Sequence, residues 1–252
     1  MSESDLICQS YLIRYVLPLF IIIICWKYFG KYIQFSKFHD KIVAYVTNRI
    51  ALSLNKSKYV STLKEDLFQP LHYLSKTESK LKIVEIGAGS GANFKYYPDN
   101  SEIICVEPNG CFNPYFRENL PKRLQDKVKF VIGRAEDMGK IKTGSVDAVV
   151  CTLVLCSVDD QAQSLAEIKR ILKPGRNFYF FEHVAAPSGL SKLCQYLIKG
   201  LWWRVGHCRT FSDTKQIVKE ADFSSIDTKQ CRVPVPIFVR FMKFGLVGTA
   251  TK

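Results

Sequence analysis

Three kinds of apolar spacing divide the chain. Between Tyr15 and Trp26 twelve residues pass without a charge, bracketed by Arg14 and Lys27. From 39 to 75 the apolar positions recur at helical intervals, with Ile42, Val43, Val46, Ile50 and Leu54 on one face and then Leu63, Leu67, Leu71 and Leu74 on another. The second of these helices is expected to pack over the sheet edge as a lid. From 82 onward, short β-branched runs alternate with amphipathic stretches. The runs read as strands over 82–86, 103–106, 128–132, 146–155 and 178–181, with two closing strands near 225–231 and 238–246. The run 146–155 is apolar throughout, as a strand buried on both faces should be. Helices are expected at 93–97, 112–125, 161–172, 191–205 and 212–221, the fourth strand's helix being stopped by Lys173-Pro174-Gly175 and the last opened by Ser212 or Asp213 as cap. Strands alternating with helices indicate an α/β sandwich.

The first run stands outside that alternation. As a helix, Tyr15–Trp26 would measure about 18 Å against a hydrocarbon core of roughly 30 Å. Extension over 6–29 gives the length but admits Gln9, Ser10, Arg14 and Lys27. The segment reads as an anchor, either spanning or, kinked at Pro18, monotopic; a buried core helix is the alternative. Glu3 and Asp5, the lack of a small-residue cleavage site and the basic flank Lys27, Lys31, Lys37 and Lys41 argue against a cleaved signal peptide. That flank would place the following domain in the cytoplasm. Tyr28, Phe29, Tyr32, Phe35 and Phe38 interleave with lysines like an interfacial belt. The expected organisation is an anchor and interfacial segment at 1–38, a helical lid and linker at 39–80, and one catalytic domain at 81–252.

Candidate chemistry concentrates where the first strand ends, at Glu85-Ile86-Gly87-Ala88-Gly89-Ser90-Gly91. Alternating glycines let a ligand approach the backbone. Glu107 lies twenty residues after Gly87, at the tip of the neighbouring strand, where a carboxylate can accept from both hydroxyls of a ribose. The spacing is G-x-G-x-G, and Glu85 precedes it by two. A pyrophosphate has no use for that carboxylate; a cationic ligand does.

The net charge of +13 splits into +5 within residues 1–60 and +8 in the rest, which favours anionic surfaces without choosing between lipid and nucleic acid. Nine cysteines, with no C-x-x-C pair and no histidine at ligand spacing, read as reduced, mostly buried apolar side chains, and no metal site is expected.

Val150–Val158, Arg170–Gly175 and Phe178–Ala186, with the glycine stretch, resemble the methyltransferase-like seven group of membrane-anchored thiol S-methyltransferases, within the class I S-adenosylmethionine-dependent methyltransferases. The resemblance covers about 58–252. It implies a seven-stranded, mostly parallel Rossmann-like sheet with helices on both faces and a closing antiparallel hairpin. It also implies residence at the endoplasmic reticulum membrane or lipid droplet, with the catalytic domain facing the cytosol. Carried onto this chain, Glu85, Gly87, Ala88, Gly89 and Gly91 would hold the methionine end of S-adenosylmethionine, Glu107 and Pro108 its ribose side. Ala135 and Glu136 would flank the adenine, with Glu136 or Asp137 accepting from its amine, and Cys151 to Leu155, Leu153 among them, would line the methyl-donor side. Ala88 and Ser90 replace the Cys and Thr common in relatives, and Glu107 the usual Asp.

A thiol acceptor must react as its thiolate, so a group is needed that takes the proton or steadies the anion. His183, at the carboxyl end of the fifth strand, is the candidate, against a structural histidine behind the pocket. Glu182 is either its orienting partner or an end-of-strand charge. His207 and Arg209, near Trp202 and Trp203, could roof the acceptor or simply pack, and Cys151 and Cys156 read as core. An anchor beside the pocket suggests small lipophilic thiols as substrates. The rival readings are a methyltransferase acting on RNA or another non-thiol acceptor, disfavoured because no RNA module is visible, and a non-catalytic lipid-droplet protein with a retained cofactor fold.

Overall fold

The computed structural model describes residues 37–206, 208–209, 211–235 and 241–252. The expected anchor and most of its aromatic belt lie outside that range, as does His207. No helix among the described residues is long and apolar enough to cross a membrane.

Two helices precede the sheet, α1 (Lys37–Lys56) and α2 (Lys58–Thr77), separated at Ser57. The apolar face expected on α1 is divided: Ile42, Val46 and Ile50 are exposed, Val43 is half-buried and Leu54 packs against the core, while Ala44 and Asn48 are buried. On α2, Leu67 and Leu71 are buried as expected, joined by Val60, Phe68 and, unexpectedly, Lys64. This helix crosses the face of interior strands rather than the sheet edge.

The strands are β1 (Leu81–Ile86), β2 (Ser101–Glu107), β3 (Val128–Ile132), β4 (Val146–Thr152), β5 (Leu172–His183), β6 (Ser225–Arg232) and β7 (Phe244–Thr251). They form one sheet in the order β3-β2-β1-β4-β5-β7-β6. The first five run parallel, and β7 inserts antiparallel between β5 and β6. The order reverses between β1 and β4, so their carboxyl ends open the crevice where such sheets bind ligands. Helices α3 (Asn113–Asn119), α4 (Gln161–Ile171), α5 (Gly189–Gly206) and α6 (Thr214–Glu220) fill the connections.

Several expected boundaries move for local reasons: the fourth strand, expected to reach residue 155, ends at Thr152, where Leu153 turns left-handed, and a single 3-10 turn, Phe94–Tyr96, stands where a helix was expected at 93–97. The helix expected to reach residue 125 ends at Asn119, because Pro121 follows and a 3-10 turn takes over at Lys122–Leu124. Lys173-Pro174-Gly175 stops α4, and the same residues then lie inside β5 as a bulge against β4, where the register jumps between Val146 and Ala148. The last strand occupies 244–251 instead of 238–246. Its glycines hid it: a Cβ at Gly245 would sit 2.8 Å from the Cys231 sulfur, so the close packing that defines this strand needs residues of low strand propensity. The last helix starts at Thr214 with Asp213, not Ser212, as its cap, accepting from the Gln216 amide at 3.1 Å.

Strand alternation sorts the core into two layers. Leu81, Ile83, Ile103, Cys105, Ala148, Val150, Tyr179 and Phe181 face α2. Val84, Ile86, Val149, Cys151, Phe178 and Phe180 face α4 and α6. Glu85 continues the first set, and Glu182 the second.

Candidate active site

Glu85 is fully buried on the α2 face. Its Oε1 accepts from Asn93 Nδ2 at 2.8 Å; the same amide group reaches Thr152 Oγ1 at 2.8 Å, tying β1 to β4 across the crevice. The amide oxygen of Asn93 accepts from Lys64 Nζ at 2.9 Å, and Lys64 also donates to Asn55 Oδ1 at 3.1 Å. Burial pushes the Glu85 carboxyl up to about 7, against the pull of Tyr97, Asn93 and Lys64. Burial likewise lowers Lys64 to about 8, although Glu85 holds it up. The other oxygen, Oε2, has the Cys105 thiol 4.0 Å away, and the nearest ammonium, that of Lys64, reaches the carboxylate only through Asn93.

Glu107 sits beside the loop with both oxygens engaged: Oε2 accepts from the Gly89 amide and Oε1 from the Asn109 amide, each at 3.0 Å. Burial raises its pKa and the two amides oppose the rise. Each oxygen keeps a lone pair for a hydroxyl. The glycines between the two carboxylates are structural requirements. Gly87 and Gly91 have φ of +61° and +81°, and a Cβ at either would fall inside the Val154 side chain or the Phe94 ring.

Beyond Glu107, Pro108 is exposed and Ile132 leaves 60 % of its surface open, with its Cδ1 over Gly110. Two apolar surfaces at the ends of β2 and β3 suit a flat heterocycle. Ile132 was not among the sequence candidates; an apolar residue closing a strand gives no signal until its exposure is known. Ala135 is buried at this end. Glu136 accepts from the Asp159 and Asp160 amides at 2.7 and 3.3 Å and faces Arg134 at 3.6 Å, and Asp137 accepts from the Gly139 amide at 3.2 Å.

On the other side of Gly87, β4 ends at Thr152 and Leu153 takes φ of +60°, a left-handed conformation costly for a leucine. The turn is held by its amide, which donates to the Phe181 carbonyl at 2.6 Å, and by Glu182. The Glu182 side chain, wholly buried, accepts from the amides of Val154, Leu155 and Cys156 at 2.9, 3.0 and 3.2 Å and from the Cys151 thiol at 3.3 Å. Glu182 is therefore neither an orienter of His183 nor a solvent-facing charge. It is the latch of the 153–156 turn, and Cys151 lies behind the crevice wall as part of it.

His183 emerges on the adjoining side. Its Nδ1 lies 3.5 Å from Cys208 Sγ and 3.9 Å from Cys156 Sγ, and the two sulfurs are 3.4 Å apart. Burial works against the imidazolium, but Cys156 and Glu182 outweigh it, and the pKa is raised. The cluster links residues separated by 27 and 25 positions, which is why linear spacing offered no metal motif. Arg209 packs rather than roofing the acceptor: its guanidinium lies 4.0 Å over the Trp203 ring and donates to the carbonyls of Val158 and Asp159.

Residues 84–180 match the family model described as a methyltransferase domain. Human thiol S-methyltransferase TMT1B is 33 % identical over 210 residues, spanning 80 % of this chain and 83 % of the relative. Human thiol S-methyltransferase TMT1A is 34 % identical over 182 residues, spanning 71 % and 75 %. Among solved structures, a SAM-dependent methyltransferase from Thermotoga maritima superposes with a TM-score of 0.52 at 21 % identity, covering 72 % of this chain and 87 % of its own. The CurJ carbon methyltransferase does so at 0.57 and 15 %, covering 79 % and 57 %. These structural likenesses show the shared fold.

Proposed function

Because the chain belongs to the thiol S-methyltransferase family of class I S-adenosylmethionine-dependent methyltransferases, we propose that it methylates small lipophilic thiols at a cytoplasmic membrane face. The observation that carries the reading is the convergence of Glu85 and Glu107 on one glycine loop at the switch point of the sheet. Glu85 answers the amino group of the cofactor, with the backbone of Gly87, Ala88, Gly89 and Gly91 beside it. Glu107 accepts from the ribose hydroxyls. Pro108 and Ile132 cover the adenine, whose edge falls to the 135–136 segment, and Leu153, held by Cys151 and Glu182 behind it, borders the methyl group. The bound cofactor supplies an electrophilic methyl carried on a positively charged sulfur. What the chain supplies is alignment, exclusion of water and a means to keep the acceptor sulfur anionic. His183 is placed for that last task.

The membrane half of the proposal draws on two features. One is the uncharged run at 15–26 and its basic flank. The other is α5, where Leu190, Leu193 and Leu197 recur at helical spacing and are exposed by 76, 53 and 71 %, flanked by Lys192 and Lys199. An apolar helical stripe edged by lysines suits a headgroup boundary. On this reading residues 1–38 anchor, 39–80 form the helical approach and 81–252 catalyse, at the endoplasmic reticulum or a lipid droplet. The test is methyl transfer from labelled cofactor by the full chain to alkyl thiols of rising length, glutathione, alcohols, amines and RNA. Turnover rising with alkyl length is expected. Preference for glutathione or RNA overturns the acceptor assignment, and a His183→Ala protein with unchanged cofactor affinity and unchanged thiol turnover removes His183 from the chemistry.

A further inference from the structure

The Cys156, His183 and Cys208 cluster has a geometry beyond that of packed thiols. In a tetrahedral zinc site with metal to sulfur distances of about 2.3 Å and metal to nitrogen of about 2.0 to 2.1 Å, ligand atoms stand roughly 3.5 to 3.8 Å apart. Here the three separations are 3.4, 3.5 and 3.9 Å. The atoms thus outline one face of such a tetrahedron without any side chain moving far. Cys156 is wholly buried and Cys208 nearly so, His183 is half-buried, and among the described residues no fourth histidine, cysteine or carboxylate joins the group. The neighbouring carboxylate, Glu182, is occupied by three amides and a thiol.

We propose that Cys156, Cys208 and His183 bind one thiophilic divalent ion of the zinc class, and that its fourth position takes the sulfur of the acceptor thiol. Two thiolates and one imidazole on a divalent ion give a neutral centre. Two cysteines, one histidine and one exchangeable ligand is a donor set that catalytic zinc uses. Soft sulfur donors select such ions over magnesium or calcium. On coordination the acceptor S–H bond would break, its electron pair staying on the sulfur, which donates a lone pair to the metal, and its proton leaving to solvent. A thiol is thereby held as the thiolate near neutral pH without a general base. Placement agrees with the chemistry: the cluster begins two residues after Val154, whose side chain lies against Gly87, so it adjoins the methyl-donor side of the crevice. The ion-binding part stands on the cluster alone; the acceptor part rests on the methyltransferase reading above.

The test uses the full chain purified under reducing, non-thiol conditions and loaded with zinc or cobalt(II). Expected results are one ion per chain and, with cobalt, an intense sulfur-to-metal charge-transfer band. That band is lost in Cys156→Ser and Cys208→Ser, weakened at least tenfold in metal affinity in His183→Ala, and retained in Cys194→Ser. Calorimetric binding of the cofactor by each variant serves as the folding control. Adding an alkyl thiol, without methyl donor, should shift the cobalt band. A folded, cofactor-binding protein that takes up no stoichiometric ion overturns the site, as does a Cys156–Cys208 disulfide found in place of metal. A metal-loaded protein whose spectrum ignores thiols overturns the acceptor role. If the ion binds and thiols shift the band but no methyl is transferred, the site stands and the thiol methyltransferase reading fails.

Discussion

Glu85 and Glu182 occupy matching stations, the carboxyl ends of β1 and β5, on opposite faces of the sheet, and both are buried completely. Burial pushes both pKa values upward, yet their partners differ in kind. Glu182 is met by three backbone amides of the turn it holds and by the Cys151 thiol near the end of β4. Glu85 is met by side chains alone, the Asn93 amide, the Cys105 thiol at 4.0 Å and the Tyr97 hydroxyl, with a lysine behind Asn93. Backbone donors are fixed by the fold and saturate a carboxylate permanently, whereas a side-chain partner can share it with something that arrives later. The first arrangement holds a turn, and the second is the one that the proposed cofactor site uses.

Glu182→Ala carries the largest expected effect. It leaves three buried amides without an acceptor and releases Leu153 from the turn that imposes its left-handed conformation. Unsatisfied buried donors cost about 1 to 3 kcal/mol each, so a loss of about 3 kcal/mol or more is expected in denaturant unfolding, with Glu182→Gln recovering part of it. A variant as stable as the wild type would show that the latch is dispensable.

Glu85→Gln should act in the opposite sense on stability and selectively on ligand binding. With a folded pKa of about 7 against an ordinary 4.5, the folded chain keeps a proton that the unfolded chain has already shed. The stability this group contributes is present below pH 4.5 and is lost as pH rises through 7. The wild type should therefore lose stability relative to Glu85→Gln over that interval, by about 3 kcal/mol at most, at 1.36 kcal/mol per pKa unit. A cationic ligand that favours the ionised form should release a proton on binding near pH 6.5. Calorimetry in buffers of different ionisation enthalpy reads that proton directly. Its persistence in the Gln variant would assign it to another group.

The two carboxylates also differ in how far the chain announced them. Glu85 was legible because it precedes alternating glycines, and Glu107 because it ends the next strand at a ribose-binding interval. Their supports were not. Asn93 looks like a loop residue, and Lys64, on a helix with exposed charges, looks solvated until α2 is laid on the face that carries Glu85. Glu182 sits beside a histidine, and adjacency in sequence suggested a partnership that strand alternation forbids, since neighbours on β5 point to opposite faces. The sulfur cluster was invisible for the same reason that β7 was displaced: both depend on which distant segments come together, and neither spacing nor propensity carries that information.

The smallest effect separates Lys64 from Glu85. Losing one partner of a buried pair ordinarily costs 3 to 5 kcal/mol, because a bare charge remains. Here the survivor has an escape, since Glu85 already titrates near neutrality and can take a proton instead. In Lys64→Met the cost is therefore capped by protonation, at 1.36 kcal/mol for each unit by which pH exceeds the wild-type value of about 7. Part of it is returned by sparing the desolvation of an ammonium that burial has already lowered to about 8. Below pH 7 the variant should unfold within about 1 kcal/mol of the wild type, and the gap should widen as pH rises toward 8. Without the lysine the Glu85 pKa moves further up, so proton release on cofactor binding should persist at pH 8, where the wild-type carboxylate is already ionised. If the variant instead loses the same stability at every pH, Lys64 serves by its packing and its bond to Asn93, and Glu85 would be as permanently committed as Glu182.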